Sequence, residues 1–428
     1  MGDRLRFLIN RIRERLWIKP LVMSVLSALT VFLVKMLDID AVAQFVPHIT
    51  QDSIETLLTI LSGSMLMIST FAVGSMVAAY ASASNNATPR SFSLIIADDV
   101  SQNALSTFIG AFIYSVVALI AIENGYYDKA GRFVLFVLTV LILILVIVTF
   151  VRWVDRIARL GRLKGTINKV EEATASAFKR RRDARTLGCA PAMRQPVNGS
   201  QHVYGTAIGY VQQVNVATLQ AYAEALKIRI TLTALPGTFS APGRALAFVT
   251  SDTGDAQHID TAQIAQAFLI GDDRVFEEDP RFGLIVLSEI AGRALSPAVN
   301  DPGTAIYILG VFVRLFALWC KPNKEGETQA CEYDRVEVPQ LSVEDMFDDA
   351  FTAIARDGAG AVEVASRLQK SLKSLASIGD SAMRDAALHH SRIALARAEH
   401  VLDLPEDLRV VRDLASFTDD LSRKSPGE

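Results

Sequence analysis

Cysteine is scarce in this chain: three residues of 428, Cys189, Cys320 and Cys331. Their spacing fits neither a zinc site nor a CxxC redox pair, and an odd number leaves one thiol over in any disulfide scheme. Reduced thiols on the cytoplasmic side are the expectation. Net charge is lacking too. Lysine and arginine number 43 against 46 aspartates and glutamates, a formal balance of −3, so the chain as a whole is no obvious polyanion binder. There is no nucleophile elbow, P-loop, dinucleotide fingerprint or HExxH helix. Enzymes are therefore the least supported class, and we expect no catalytic residue, no metal and no cofactor. One absence is local: no charged residue lies between Leu57 and Asn86.

What is abundant is apolar surface; half of all residues are hydrophobic. Phe133 to Val151 reads FVLFVLTVLILILVIVTFV. It is uncharged and long enough to cross a bilayer core of about 30 Å as a helix. A helix of that length that is apolar all round has no place on a soluble surface. Residues 20–36, 54–81 and 102–122 form three weaker spans, with Lys35 placed to snorkel at the end of the first. Short connections predict antiparallel neighbours. The fold class expected is an α-helical membrane protein with four transmembrane helices in residues 20–153, followed by a cytoplasmic α+β region.

Basic residues set the orientation. Arg4, Arg6, Arg11, Arg13, Arg15 and Lys19 precede the first span, and Arg152, Arg156, Arg159, Arg162 and Lys164 follow the fourth. Asp38, Asp40 and Asp52 lie between the first two spans. Both termini are expected in the cytoplasm of a bacterial cell, with the spans in its inner membrane. Ala41-Val42-Ala43 fits a signal-peptidase site, but the segment is expected to be kept as a span. In residues 1–19, Leu5, Leu8, Ile9, Ile12 and Leu16 make one apolar helix face among arginines. Either this helix lies on anionic inner-leaflet lipid, with Arg4, Arg11 and Arg15 facing it, or it packs on the cytoplasmic part.

The second span is rich in small and hydroxylated residues. Thr70, Gly74, Ala78 and Ser82 recur every four residues, with Ser62 and Ser69 nearby. Such lines let helix backbones approach closely. Two readings stay open: packing within one chain, or a helix lining an oligomer axis or hydrated pathway.

Residues 154–196 form a basic helical linker in which Arg180, Arg181 and Arg182 are candidates for anionic-lipid contact. No aromatic interleaving or nucleic-acid module accompanies them, so no nucleic-acid partner is expected. Residues 197–255 alternate β-formers with Gly and Pro and predict a small barrel or sandwich with an inserted helix, VATLQAYAEALK. PGTFSAPGRALAFV resembles the turn of lipoyl-type hammerhead domains; with no lysine at the tip, the resemblance implies scaffold only. Residues 256–322 should be helical, 323–342 a loop, and 343–428 a helical bundle and tail with breaks at Gly358 and Gly379. The pair His389-His390 is expected on the surface.

Asp279-Pro280, Ser296-Pro297 and Asp301-Pro302 each place a capping side chain before proline. The side chain accepts orphan N–H groups and proline fits the first helical position. A helix from Pro280 to Leu295 and another from Pro302 through Trp319 follow, the second a buried core helix because Arg314 interrupts it. Three readings of the cluster remain. It is capping alone; or an anion site of Arg274, Asp279, Arg293, Ser296, Asn300 and Asp301 at neighbouring helix starts; or a cation site of Glu277, Glu278, Asp279 and Asp301.

The stretch FEEDPRFGLIVLSEIAGRALSPAVNDPGTA, Phe276 to Ala305, resembles a family of uncharacterised bacterial membrane proteins known as a domain of unknown function (number 2254). The matching positions are Glu278 to Pro280, Phe282 to Leu284, Ala294 to Ala298, Asn300 to Pro302, Thr304 and Ala305. The resemblance implies an inner-membrane protein with four spans and a cytoplasmic region, and it implies no activity. The function expected is a homo-oligomeric channel- or transporter-like protein with a cytoplasmic gating or sensing domain. The alternative is a non-conducting scaffold or signalling protein that works through its helical bundle.

Overall fold

The computed structural model describes residues 17–36, 49–92, 94, 99–159, 162–192, 200–251, 259–321 and 331–419. The amphipathic segment before residue 17, the acidic positions 38 and 40 and Ala41-Val42-Ala43 lie outside them. The chain divides into two compact units, Met1–Thr166 and Ile167–Glu428.

The described residues of unit 1 form four long helices: α1 (Ile18–Met36), α2 (Gln51–Asn86), α3 (Asp99–Glu123) and α4 (Lys129–Arg159). Helix α3 is the hub and packs on the other three. Gly110 of α3 makes this possible on one side, since a Cβ there would lie 3.2 Å from Ser27 Oγ of α1. The buried side chains of α2 are Ile54, Leu58, Leu61, Met65, Ser69, Ala72, Met76 and Tyr80. Their spacing of three and four residues marks a single packed face. At 36 residues α2 is about 54 Å long.

Among the described residues, four helices are long and apolar enough to cross a membrane: Gln51–Ser82, Val100–Glu123, Lys129–Ala158 and Pro302–Trp319. This set differs from the expected one. Ile18–Leu33 is apolar but shorter, and Pro302–Trp319 takes its place by length and composition. That last helix packs inside unit 2, with Ile308, Phe312, Leu315 and Phe316 buried and Arg314 paired to Glu171 at 2.7 Å. The expected core position is what the packing gives it.

Unit 2 holds two sheets. Its elements are α5 (Leu163–Asp183, beginning at the unit boundary), β1 (Cys189–Pro191), β2 (Gln201–Tyr204), β3 (Gly209–Val214), α6 (Val216–Leu226), β4 (Ile228–Leu232), β5 (Phe239–Ser240), β6 (Ala245–Ser251), α7 (Thr261–Ala265) and β7 (Phe268–Gly271). After these come α8 (Pro280–Ala294), α9 (Pro302–Trp319), β8 (Tyr333–Val338), α10 (Val343–Asp357), α11 (Val362–Ile378), α12 (Ser381–Val401) and α13 (Pro405–Ala415). A mixed sheet runs β1-β8-β4-β6-β2, and a smaller one runs β5-β3-β7. The inserted helix is α6, capped by Asn215 on Thr218 N and ended by Lys227 in the left-handed region. Val203, Leu219, Ile230, Leu246, Val249, Val336 and Val338 share one apolar core.

Three strands correct the sequence reading. β1 lies in the stretch read as basic linker, β7 in the region read as helical, and β8 in the segment read as loop. β8 pairs in parallel with both β1 and β4. Its strand character comes from two long-range partners, which no local pattern announces. The four C-terminal helices have the expected breaks, with Gly358 and Gly379 as C-caps.

Candidate functional site

The motif Glu278 to Leu284 surrounds the start of α8. Asp279 is the N-cap: its Oδ1 accepts from Phe282 N at 3.2 Å, and Pro280 opens the helix. The same carboxylate takes Arg274 Nε at 2.6 Å while only 2% exposed. Arg274 also lies over the Phe282 ring, 5.5 Å from its centroid, and Phe282 packs on Phe276 at 4.6 Å. Burial pushes the Asp279 carboxyl above the usual carboxylate range, against the pull of Arg274. Two glycines let neighbours close in. A Cβ at Gly237 (φ +93°) would collide with Asp279 Oδ2, and one at Gly283 with Thr174 Oγ1 of α5.

Arg181 completes this corner. It is 4% exposed, and its Nε, Nη1 and Nη2 have no hydrogen-bond partner among the described residues. Burial pushes its guanidinium down to about 10, with Glu278 and Asp279 acting in the opposite direction. Arg180 donates to Glu277 O. Arg182 donates to Leu318 O at 3.2 Å, at the C-terminal end of α9, where a cation is favoured. For Arg181 this corrects the lipid-facing assignment. Arg181 is sealed inside unit 2, Arg182 is mostly covered, and Arg180, though exposed, is engaged with the same unit. Arg4, Arg11 and Arg15 lie outside the described residues. In the same first turn of α8, Arg281 pairs with Asp345 and Asp349 of α10, each at 2.6 Å.

The six-residue anion site of the sequence reading comes apart. Arg274 and Asp279 lie at the start of α8, whereas Arg293, Ser296, Asn300 and Asp301 lie at its far end, about 22 Å away by helix rise. No helix begins at Pro297; Ser296 Oγ instead donates to Arg293 O at 2.7 Å, and Asn300 adopts φ +49° to turn the chain. Asp301 caps α9 as expected, accepting from Thr304 N at 3.1 Å and Thr304 Oγ1 at 2.6 Å. The alternative cation site fails for the same reason, because Asp301 is a helix length from Glu277, Glu278 and Asp279. Among the described residues no group of three or more metal-type side chains clusters.

In α2, Ser69 is buried, Ser62 is half-buried, and Thr70, Gly74, Ala78 and Ser82 are exposed. Thr70 Oγ1 is turned back onto Leu66 O at 3.0 Å. A Cβ at Gly74 would meet nothing within 4 Å among the described residues. Thr70, Gly74 and Ala78 of the small-residue line are therefore not covered by the described residues. His390 also departs from expectation: it is buried against Phe347 and Phe351, while His389 is exposed. The reason is helical phase, since His390 shares the inward face of α12 with Met383, Ala387, Ser391 and Ala394.

Sequence reasoning found both caps, missed Gly237 and Thr174, and assigned Arg181 to lipid instead of to this corner. Only the proline–glycine turn at 236–237 carried a local signal. The other two depend on how α5 meets α8.

A family model described as "Predicted membrane protein (DUF2254)" matches residues 13–374. Uncharacterized proteins of Mycobacterium tuberculosis strains CDC 1551 and H37Rv and of Mycobacterium bovis are each 35% identical to this chain over 105 residues. The match covers 24% of this chain and about a fifth of the length of each relative. No solved structure matches.

Proposed function

The chain belongs to the DUF2254 family of predicted membrane proteins, and from that premise we propose that it is a homo-oligomeric, non-enzymatic membrane protein of channel or transporter type. Unit 1 is the membrane part and unit 2 the cytoplasmic gating or sensing part. The observation that carries the proposal is the outward face of α2. Thr70, Gly74, Ala78 and Ser82 are exposed, and small residues at every fourth position favour close approach of another helix. A second copy of α2 is the partner we propose. Met67 and Phe71, 75% and 65% exposed, flank the line and can close a narrow path by dewetting. Basic residues before α1 and after α4 support a bacterial inner-membrane protein with both termini inside, its N-terminal arginines against anionic lipid.

A second reading is a non-conducting scaffold. What favours it is the C-terminal bundle, which leaves Ile378, Val401, Leu404 and Val410 exposed.

The test is a cysteine scan from Ser62 to Ser82 in a chain whose three native cysteines are serines. A water-soluble thiol reagent should modify the Thr70–Gly74–Ala78–Ser82 face with helical period. Gly74→Leu should change the leak of reconstituted liposomes. Uniform protection of the span, with no flux under voltage, pH or osmotic steps, would leave the scaffold reading.

A further inference from the structure

The β region of unit 2 carries a cleft of about 270 Å³, open on one side. Its walls include His202 of β2, Thr238 before β5, Phe239 and Ser240 of β5, and Arg244 and Leu246 at the start of β6. None of its lining residues is acidic. Leu246 forms a buried apolar wall, and Phe239 is half-covered and braced edge-on by Tyr210 at 5.1 Å. His202 lies stacked on Tyr204, with ring centroids 6.3 Å apart.

The polar groups are arranged to receive negative charge. Arg244 is exposed at the mouth and has no carboxylate partner among the described residues. Thr238 Oγ1 accepts from Leu235 N at 3.1 Å, which leaves its hydroxyl proton free to donate. Ser240 Oγ donates to Ala207 O at 3.0 Å and so is held in place. A guanidinium, a hydroxyl donor and an imidazole around an apolar wall make a cradle for a carboxylate or phosphate group joined to a flat apolar body. The volume is below the range of about 300–1,000 Å³ of drug-sized sites, so the occupant is small.

We propose that this cleft binds a small organic anion, its charged group on Arg244, Thr238 and His202 and its apolar body against Phe239 and Leu246. The cleft is joined to the motif corner. Thr238 follows Gly237, whose backbone lies against the Asp279 carboxylate. The turn is pinned on β3 by Gly237 N to Val211 O at 2.8 Å and Val211 N to Thr238 O at 2.9 Å. An occupant that orders Thr238 therefore bears on the start of α8. The inference deepens the sensing role proposed for unit 2 and rests on that reading for its purpose. Binding is measured without flux or oligomer formation, so its failure and the failure of the membrane reading are separable.

The experiment uses the full chain in lipid nanodiscs and calorimetric titration with phenyl phosphate, benzoate and, as a neutral control, benzyl alcohol. Phenyl phosphate or benzoate should bind saturably and benzyl alcohol should not. Arg244→Gln should weaken the anion about ten- to a hundredfold, as loss of a charge-assisted bond predicts. Arg244 is exposed on a turn, so its melting temperature should hold. Arg293→Gln, at the far end of α8, should bind as the unchanged chain does. Absence of saturable binding of both anions up to about 10 mM would overturn the proposal. So would binding that Arg244→Gln and Thr238→Ala both leave unaltered.

Discussion

Both units bury apolar side chains, but they differ in what faces outward and in what accompanies the core. Unit 1 turns Leu66, Met67, Phe71, Ile147 and Val151 outward and closes Ser91, Ser101, Gln102, Ser106, Ser115 and Thr139 inside. Unit 2 packs Phe312, Phe316, Phe347 and Phe351 together in its interior. The difference follows from the surroundings each suits. In lipid an apolar interior brings no hydrophobic gain, and helices associate through small residues and hydrogen bonds. Three buried hydroxyls of unit 1 donate back along their own helix: Ser106 to Gln102 O at 2.7 Å, Ser115 to Ala111 O at 2.8 Å and Thr139 to Leu135 O at 2.7 Å. In unit 2 an aromatic cluster fills the interior, and the buried Asp279 carboxylate is held by Arg274.

The contrast breaks hardest at that pair. Asp279→Ala removes a cap and leaves the mostly buried Arg274 without its carboxylate. A loss of about 3–5 kcal/mol in unit 2 is expected, as for other broken buried pairs. Asp301→Ala, a cap without a buried ion, should cost only about 1 kcal/mol, and Asp301→Asn almost nothing. Urea unfolding followed by circular dichroism separates the two. Equal losses at both positions would mean that the Arg274 pair adds nothing beyond capping.

A smaller effect concerns pH. Burial first, with His389 and Arg397 adding to it and Asp348 opposing, pushes His390 down to about 4 from an ordinary 6.5. The unfolded chain then binds the proton that the folded bundle refuses. The stabilisation is full above pH 6.5 and is lost as the pH falls toward 4. Its ceiling is about 3 kcal/mol, with the opposing pull of Asp348 Oδ1, 3.3 Å from Nε2, already contained in that shift. Thermal melts at pH 7 and pH 4.5 should show a larger drop for the native chain than for His390→Gln. Identical drops would place the acid sensitivity elsewhere.

Two glycines give the smallest and most direct comparison. Gly283→Ala would drive a methyl into Thr174 and should cost about 1–3 kcal/mol through overpacking. Gly74→Ala meets open space in the isolated chain and should be neutral or gain up to about 1 kcal/mol from helix propensity. A cost at Gly74 in membranes, absent in detergent monomers, would point to a neighbour on that face.

The legible parts of the fold were those with local causes. Asp279-Pro280 and Asp301-Pro302 state a cap and a first helical residue within two positions, and both helices begin there. Ser296-Pro297 states the same and starts nothing, because Ser296 is used to end α8. Phe133 to Val151 declares a long apolar helix by composition alone. In the basic run at 180–182 Arg181 misled, since charge density says nothing about which arginine faces inward, and the packing of α5 on α8 decides that. His390 and β8 were hidden similarly, one by the phase of a helix against its bundle and the other by strands more than a hundred residues away.

Composition and short-range pattern by themselves determined the apolar helices, the caps, the bundle breaks and the likeness to a membrane-protein family. Each rests on interactions within a few residues: backbone hydrogen bonds, side-chain caps and the transfer of apolar surface out of water. Only the tertiary structure decided that the motif residues divide between two ends of one helix, that Arg181 is sealed in, and that Thr70, Gly74 and Ala78 of α2 are exposed among the described residues. Those outcomes depend on which surfaces meet, and burial, charge pairing and close glycine contacts acquire their energies only once they do.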